Sequence, residues 1–235
     1  MSTGSSSGDG DKGGFFRQNG LGLVFGALFL LSLLGQAVAG VAEFNEGQLT
    51  GGYEPVSFWA YLTTSDFAAD VTENWQSEYL QFVTYVFATV WFLQRGSPES
   101  KELDKNGTGS DEEQKVGAFA EDTSPRWARI GGWRTTLYSH SLVTVVGLIF
   151  LASWAAQSIS GQAAYNVQQM QDLQDPVSWL EYLARPDFWS RTFQNWQSEF
   201  LAVGSMAVLS IYLRQRGSSE SKPVGEAHDA TGVSG

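Results

Sequence analysis

An uncharged apolar run near the N-terminus limits this chain more than any other feature of its sequence. The run, Gly20 to Ala42, contains no charged side chain and one strongly polar residue, Gln36. A helix needs about 20 mostly apolar residues to cross roughly 30 Å of hydrocarbon. A second run without Asp, Glu, Lys or Arg, Leu137 to Gly161, lies in the middle of the chain. Both runs therefore predict transmembrane helices.

Two further apolar runs are shorter, and each follows the same polar motif. The runs are Tyr79 to Leu93 and Phe200 to Leu213, and the motif before each is NWQSE. At 1.5 Å per residue, such runs reach only about 22 Å. Each helix must therefore begin inside the motif in order to cross a bilayer. The predicted transmembrane helices are about 20–42, 74–94, 137–161 and 195–214.

The chain also aligns with itself without a gap, residues 21–101 on residues 142–222. PVSFWAYLTTSDF matches PVSWLEYLARPDF, and QRGSPESK matches QRGSSESK. Each copy holds two predicted spans, an even number, so both copies have the same orientation in the membrane. The predicted fold class is an all-α integral membrane protein with four transmembrane helices in two parallel-topology helical-hairpin repeats. The alternative, a signal peptide at Leu21–Ala39, is disfavoured because the same segment recurs inside the chain.

Polar tracts that are rich in glycine, serine and charge surround the two repeats. Such tracts contain too few apolar side chains to offset the entropy lost on ordering, so they predict disorder. The predicted organisation is a disordered tail (1–16), repeat 1 (17–101), a flexible linker (102–133), repeat 2 (134–222) and a second disordered tail (223–235).

Lysine and arginine are concentrated in the tails and the linker. The segments that join the two spans of each repeat carry only Arg185 and Arg191 between them. Because loops rich in lysine and arginine stay in the cytoplasm, both termini and the linker are predicted to be cytoplasmic. The chain is therefore predicted to be a multi-pass protein of the cytoplasmic (inner) membrane, with the lipid bilayer as its first partner.

The composition excludes several kinds of site. The chain has no cysteine, which excludes disulfides and thiolate metal sites, and its two histidines disfavour a bis-histidine haem. A net charge of −11 disfavours nucleic acid as a partner. No nucleophile with a matching base is recognisable, so the sequence predicts no catalytic residue, no metal and no cofactor.

The segment between the two spans of each repeat predicts a short helix. Ser57 and Ser178 are predicted N-caps, and Glu181 completes a capping box with Ser178. The following FWAYL and WLEYL predict short interfacial helices, since Trp and Tyr favour the headgroup level. Asp66 and Asp187 are predicted to be the N-caps of the long helices that follow.

Polar side chains in or beside the predicted spans are the candidate functional residues. In each motif the asparagine and the glutamate are four residues apart and share one helix face. Three interpretations compete for this polar face: hydrogen bonds across the helix bundle, an ion or proton path, and exposure to water above the headgroups. The candidates are Asn74, Gln76, Glu78, Asn195, Gln197, Glu199, Gln36 and Gln157, and the predicted interfacial anchors are Trp75, Trp196, Arg95 and Arg216.

The two motifs, NWQSE(F/Y)L and QRGSxESK, resemble those of an uncharacterised bacterial family of multispan membrane proteins, a domain of unknown function. The motifs occur here in a tandem repeat, and the resemblance covers about residues 15–101 and 134–222. It implies an integral membrane protein and no particular activity.

We therefore expect a non-enzymatic membrane protein with a structural or protein-interaction role, as a homo-oligomer or with another membrane protein. The alternative is a small channel or transporter for protons or cations that uses Glu78 and Glu199. A membrane enzyme, or a subunit of a larger membrane complex, is the third hypothesis.

Overall fold

A computed structural model describes residues 14–234, and all regular structure in this range is helical. The all-α prediction is therefore confirmed for the described part of the chain. The helices are α1 (Phe15–Thr50), α2 (Phe58–Tyr61), α3 (Ser65–Trp91), α4 (Arg126–Arg129), α5 (Gly132–Ser139), α6 (Ser141–Gln171), α7 (Trp179–Leu183) and α8 (Pro186–Tyr212), with a 3-10 turn at Gly117–Phe119.

Two of the described helices, α1 and α6, are long and apolar enough to cross a membrane. Only 6% of the most apolar part of α1 and 17% of that of α6 is buried inside the protein. Within residues 14–234, most side chains of these two apolar segments are therefore not buried. Helices α3 and α8 have 27 residues each, or about 40 Å, but their N-terminal halves are polar. That they also span the membrane stays a prediction.

Helices α1 and α6 continue past the predicted spans and end in the same kind of cap. Gly52 (φ 77°) and Leu173 (φ 56°) adopt the left-handed conformation just after the helix ends. The next residue in each case donates its N–H back into the last turn, from Tyr53 to Gln48 O and from Gln174 to Gln169 O, both at 2.8 Å. This Schellman pattern satisfies carbonyl groups that the helix end leaves free.

An asparagine near the end of α1 and another near the end of α6 each bind the loop that follows the helix. Asn45 donates to Val56 O (2.9 Å) and accepts from Val56 N (2.7 Å). Asn166 makes the same two bonds with Val177, at 2.9 and 2.8 Å. One amide group thus satisfies both backbone groups of a valine outside regular structure, and it positions the short helix that follows.

The short helices α2 and α7 occur where FWAYL and WLEYL predict them. Ser57 and Ser178 are their N-caps, and Ser178 and Glu181 form the predicted capping box. Hydrogen bonds from the backbone and hydroxyl groups of Ser178 keep the pKa of Glu181 below its usual value. That both helices lie at a membrane interface stays a prediction.

Asp66 and Asp187 are not N-caps, which corrects the sequence prediction. Helix α3 begins at Ser65, and the preceding Thr64 accepts the N–H of Phe67 in its hydroxyl oxygen (3.2 Å). Helix α8 begins at Pro186, whose fixed φ suits a first helical position. Both aspartates therefore lie in the first turn, near the positive end of the helix dipole.

The chain divides into two compact units, and the boundary lies between Phe67 and Ala68. Nearly all of α3 is thus in the same unit as α6 and α8. This boundary falls within repeat 1, whereas the sequence predicts a linker at 102–133; the predicted domain limits stay predictions. The predicted N-terminal tail (1–16) lies almost entirely outside the described residues, and disorder of the linker and of the C-terminal tail also stays a prediction.

Candidate functional site

The two NWQSE motifs meet within the second unit, where the N-terminal halves of α3 and α8 are in contact. Several side chains reach across this contact, and we call them the polar seam. Its members are Glu73, Gln76 and Ser77 of α3, and Arg191, Asn195, Trp196 and Glu199 of α8.

At one end of the polar seam, a carboxylate of α3 binds two donors from α8. Arg191 Nη1 lies 2.8 Å from Glu73 Oε2, and Asn195 Nδ2 lies 2.6 Å from Glu73 Oε1. Asp70 and Asp187 are more distant from the guanidinium, at 3.9 and 4.0 Å. The side chain of Glu73 is 14% exposed and that of Arg191 is 42% exposed. The charge-assisted bonds therefore neutralise a mostly buried carboxylate with a cation that still reaches water.

In the middle of the polar seam, the indole of Trp196 donates to Gln76 Oε1 at 2.8 Å. Gln76 has no exposed surface, so its carbonyl oxygen needs a protein donor. The Trp196 ring also packs on Trp154 of α6, with 5.7 Å between ring centroids. This hydrogen bond and this ring contact join three helices of the second unit.

At the far end, the contact is weaker. Ser77 Oγ lies 2.9 Å from Asn74 O and 3.5 Å from Glu199 Oε1. A serine hydroxyl has a single hydrogen to donate, and the shorter distance favours the carbonyl of its own helix. Glu199 is therefore at the edge of the polar seam.

The two copies of the motif make different contacts in the structure. Gln76 and Asn195 lie in the polar seam, whereas Asn74, Glu78 and Gln197 are exposed, and Asn74 donates to the carbonyl of Asp70 in its own helix (3.0 Å). Among the remaining candidates, Gln157 is buried in α6, Gln36 is partly covered in α1, Trp75 of α3 and Arg216 are exposed, and Arg95 is exposed beside Asp229. The functional roles of all these residues stay predictions.

Three members of the polar seam are missing from the sequence-based candidates: Glu73, Ser77 and Arg191. The fully buried Thr192, next to Arg191 in α8, is missing as well. The internal alignment contains a signal for Glu73 and Arg191. Position 70 is aspartate where position 191 is arginine, and position 73 is glutamate where position 194 is glutamine. If the two repeats contact each other at these positions, opposite charges attract, whereas like charges would repel.

Several buried polar atoms have no hydrogen-bond partner among residues 14–234. They are Gln76 Nε2, Trp154 Nε1, Gln157 Oε1, Thr192 Oγ1 and Arg214 Nε. The described residues also contain no group of three or more His, Asp or Glu that could hold a metal ion. Within the described chain, the contacts across the polar seam are hydrogen bonds and ion pairs between α3 and α8.

The two QRGSxESK motifs form the same closed loop. The hydroxyl oxygen of Ser100 accepts from Gln94 N (2.9 Å), and that of Ser221 accepts from Gln215 N (3.0 Å). The glycine of each motif has a positive φ, 84° at Gly96 and 80° at Gly217, which suits glycine because it lacks a Cβ.

The second of these loops holds the end of the chain, residues 226–232, which we call the C-terminal clasp. Lys222 is 1% exposed, and its ammonium group donates to the carbonyls of Ala227 (3.0 Å), His228 (2.8 Å) and Ala230 (3.1 Å). The clasp also reaches the first loop, where Gly96 N donates to Thr231 Oγ1 at 2.8 Å. The C-terminal clasp therefore connects the two QRGSxESK loops.

A family profile matches residues 12–233, which is nearly the whole chain. Its description is Domain of unknown function (DUF6766). The chain belongs to the DUF6766 family. The match covers both aligned segments and the linker between them, so in DUF6766 these parts form one family unit. No curated protein and no solved structure matches the chain.

Proposed function

We propose that this chain is a non-enzymatic, multi-pass protein of the cytoplasmic membrane with a structural or protein-interaction role. The polar seam carries the proposal. Its polar side chains bind one another: Glu73 binds Arg191 and Asn195, and Gln76 binds Trp196. Polar groups bonded in this way fix one helix against another.

Four spans are part of the proposal. Helices α1 and α6 are apolar along most of their length, and α3 and α8 are also long enough to cross a bilayer once the motif is included. The scarcity of lysine and arginine between the spans of each repeat supports cytoplasmic termini. The polar seam would then lie at the outer ends of α3 and α8.

Reporter fusions after Gly109 and after Leu173 test the four-span topology. With four spans, we expect the Gly109 fusion to report the cytoplasm and the Leu173 fusion to report the periplasm. If only α1 and α6 crossed, both reports would be reversed, so each fusion separates the two topologies. A fusion at the C-terminus is the control, because it is cytoplasmic in either case.

A double-mutant cycle tests whether the polar seam stabilises the fold. In mixed micelles, with unfolding followed by tryptophan fluorescence, we expect Arg191→Ala and Glu73→Ala to show a coupling energy of about 1 kcal/mol. The expected coupling is modest because water partly screens the guanidinium of Arg191. The matched control is the exposed pair of Lys115 and Glu121 (2.8 Å), whose coupling should be smaller than about 0.5 kcal/mol.

Equal coupling energies in the two cycles would contradict the structural role of the polar seam.

The same protein, reconstituted into vesicles, also tests transport. We expect no proton or cation flux. A flux that disappears in the variant Glu78→Gln plus Glu199→Gln, with stability unchanged, would replace our proposal with the channel or transporter hypothesis.

A further inference from the structure

The segment that leads into α6 combines arginine with exposed apolar side chains. Helices α4 and α5 contain Arg126, Arg129 and Arg134, and no aspartate or glutamate occurs between Asp122 and Asp172. Arg129 donates to the carbonyl of Asp122 (3.4 Å). Among the described residues, neither Arg126 nor Arg134 forms an ion pair with a carboxylate. Two guanidinium groups therefore remain available to an anion from outside the chain.

The same two helices expose large apolar side chains. Trp133 is 68% exposed. Its ring lies 6.5 Å from that of Trp127, and Arg134 Cζ lies 5.4 Å from its centroid. The other exposed apolar side chains are Ile130, Leu137 and Tyr138. Tryptophan and tyrosine beside arginine are typical of the membrane–water interface, where rings sit at the level of the headgroups.

Local contacts fix the geometry of this segment. Thr135 Oγ1 donates to Trp127 O at 2.6 Å and thereby holds α5 against α4. Gly131 and Gly132 both have positive φ, 72° and 67°, which allows the sharp turn between the two helices. Only His140 separates α5 from α6. The arginines and tryptophans therefore lie close to the start of an apolar helix that can cross a membrane.

We propose that the α4–α5 segment binds the headgroups of anionic lipids at the cytoplasmic surface of the membrane. The inference rests on the proposed function, since it needs α6 to span the bilayer with its N-terminus in the cytoplasm. The positive charge of the arginines favours anionic headgroups over zwitterionic ones, and the tryptophans insert beside these headgroups. The preceding residues 102–122 carry seven acidic side chains and only two lysines, and an anionic membrane surface repels them.

The test uses the full chain in mild detergent, titrated with phosphatidylglycerol or with phosphatidylcholine and read by native mass spectrometry. We expect the protein to retain phosphatidylglycerol in preference to phosphatidylcholine. The variant Arg126→Gln plus Arg134→Gln should weaken phosphatidylglycerol binding about 30-fold. The matched control is Lys105→Gln plus Lys115→Gln, which removes the same charge from residues already paired with Glu102 and Glu121, and it should bind nearly as the natural chain does.

Three results would overturn the inference: equal retention of the two lipids, equal loss in the control variant, or unchanged binding in the arginine variant. Arg134→Lys keeps the charge and should keep most of the binding, which separates an electrostatic effect from misfolding. Inorganic phosphate at the same concentration should not displace the lipid, because it lacks the apolar part that the tryptophans contact. The fusion after Gly109 separates the two proposals. A periplasmic report would contradict both the four-span topology and lipid binding at the cytoplasmic surface. A cytoplasmic report, with unchanged lipid binding in the arginine variant, would contradict only the lipid-binding proposal.

Discussion

Replacement of Tyr182 by alanine is expected to lower the free energy of unfolding by about 3–5 kcal/mol. Tyr182 lies in α7 and is 1% exposed. Its ring packs against those of Tyr165 (5.5 Å between centroids) and Phe188 (5.7 Å), which come from α6 and α8. Its hydroxyl also covers Gly161, where a Cβ would lie only 2.7 Å from Tyr182 Oη. Truncation would leave a cavity among three helices.

Reversible unfolding in mixed micelles measures this effect, and two further variants separate its causes. Tyr182→Phe removes only the hydrogen bond to Asp187 (3.0 Å) and should lose about 1 kcal/mol. Burial, and then the nearby Asp187, raise the pKa of Tyr182, so the phenol stays protonated and can donate that bond. Leu180→Ala is the control, because Leu180 is exposed in the same helix. Equal losses at Leu180 and Tyr182 would contradict the packing seen here.

Replacement of Lys222 by methionine is expected to release the C-terminal clasp. The change removes three hydrogen bonds from one buried ammonium group. Bonds from a charged donor contribute roughly 1.5–3 kcal/mol each, although they are not additive. Even a loss of about 2 kcal/mol would raise the open population of the clasp roughly 30-fold. Limited proteolysis with a protease of broad specificity measures it as faster cleavage within residues 226–232, since cleavage follows the open population when opening is fast.

The aligned lysine supplies the control for this experiment. Lys101 donates to a single carbonyl, Gly107 O at 2.5 Å, and it contacts the linker rather than the clasp. Lys101→Met should therefore leave cleavage of the C-terminal residues unchanged. If both variants released the clasp to the same extent, the hydrogen bonds of Lys222 would not be what holds it.

The features that the sequence predicts best are local ones. The capping box of Ser178 and Glu181 depends on residues three apart, and the apolar character of α1 and α6 can be counted directly. The N-cap predictions at Asp66 and Asp187 are wrong because the hydroxyl of Thr64 and the ring of Pro186 start each helix earlier. Such a competition between neighbouring residues is decided by local geometry, which residue preference alone does not contain.

The polar seam could be predicted only in part. The motif indicates that Gln76 and Asn195 face a partner, because they are polar residues on a long helix. It does not reveal that the partners are Trp196 and Glu73, since these are tertiary contacts between residues more than a hundred positions apart in the sequence. Nor does it show that Asn74 and Gln197 stay exposed, because the two copies are identical at these positions and differ only in their surroundings.

The polar seam also determines how fragments of this chain would recognise each other. In it, an acidic segment (Asp70 and Glu73) faces a segment that carries Arg191. Two copies of the first segment would place carboxylates against carboxylates, and two copies of the second would place guanidinium groups together. Both like pairings cost free energy that the unlike pairing avoids. The two aligned segments differ in charge at one position, where the first has Asp70 and the second has Arg191. This difference makes each segment a better partner for the other than for a second copy of itself.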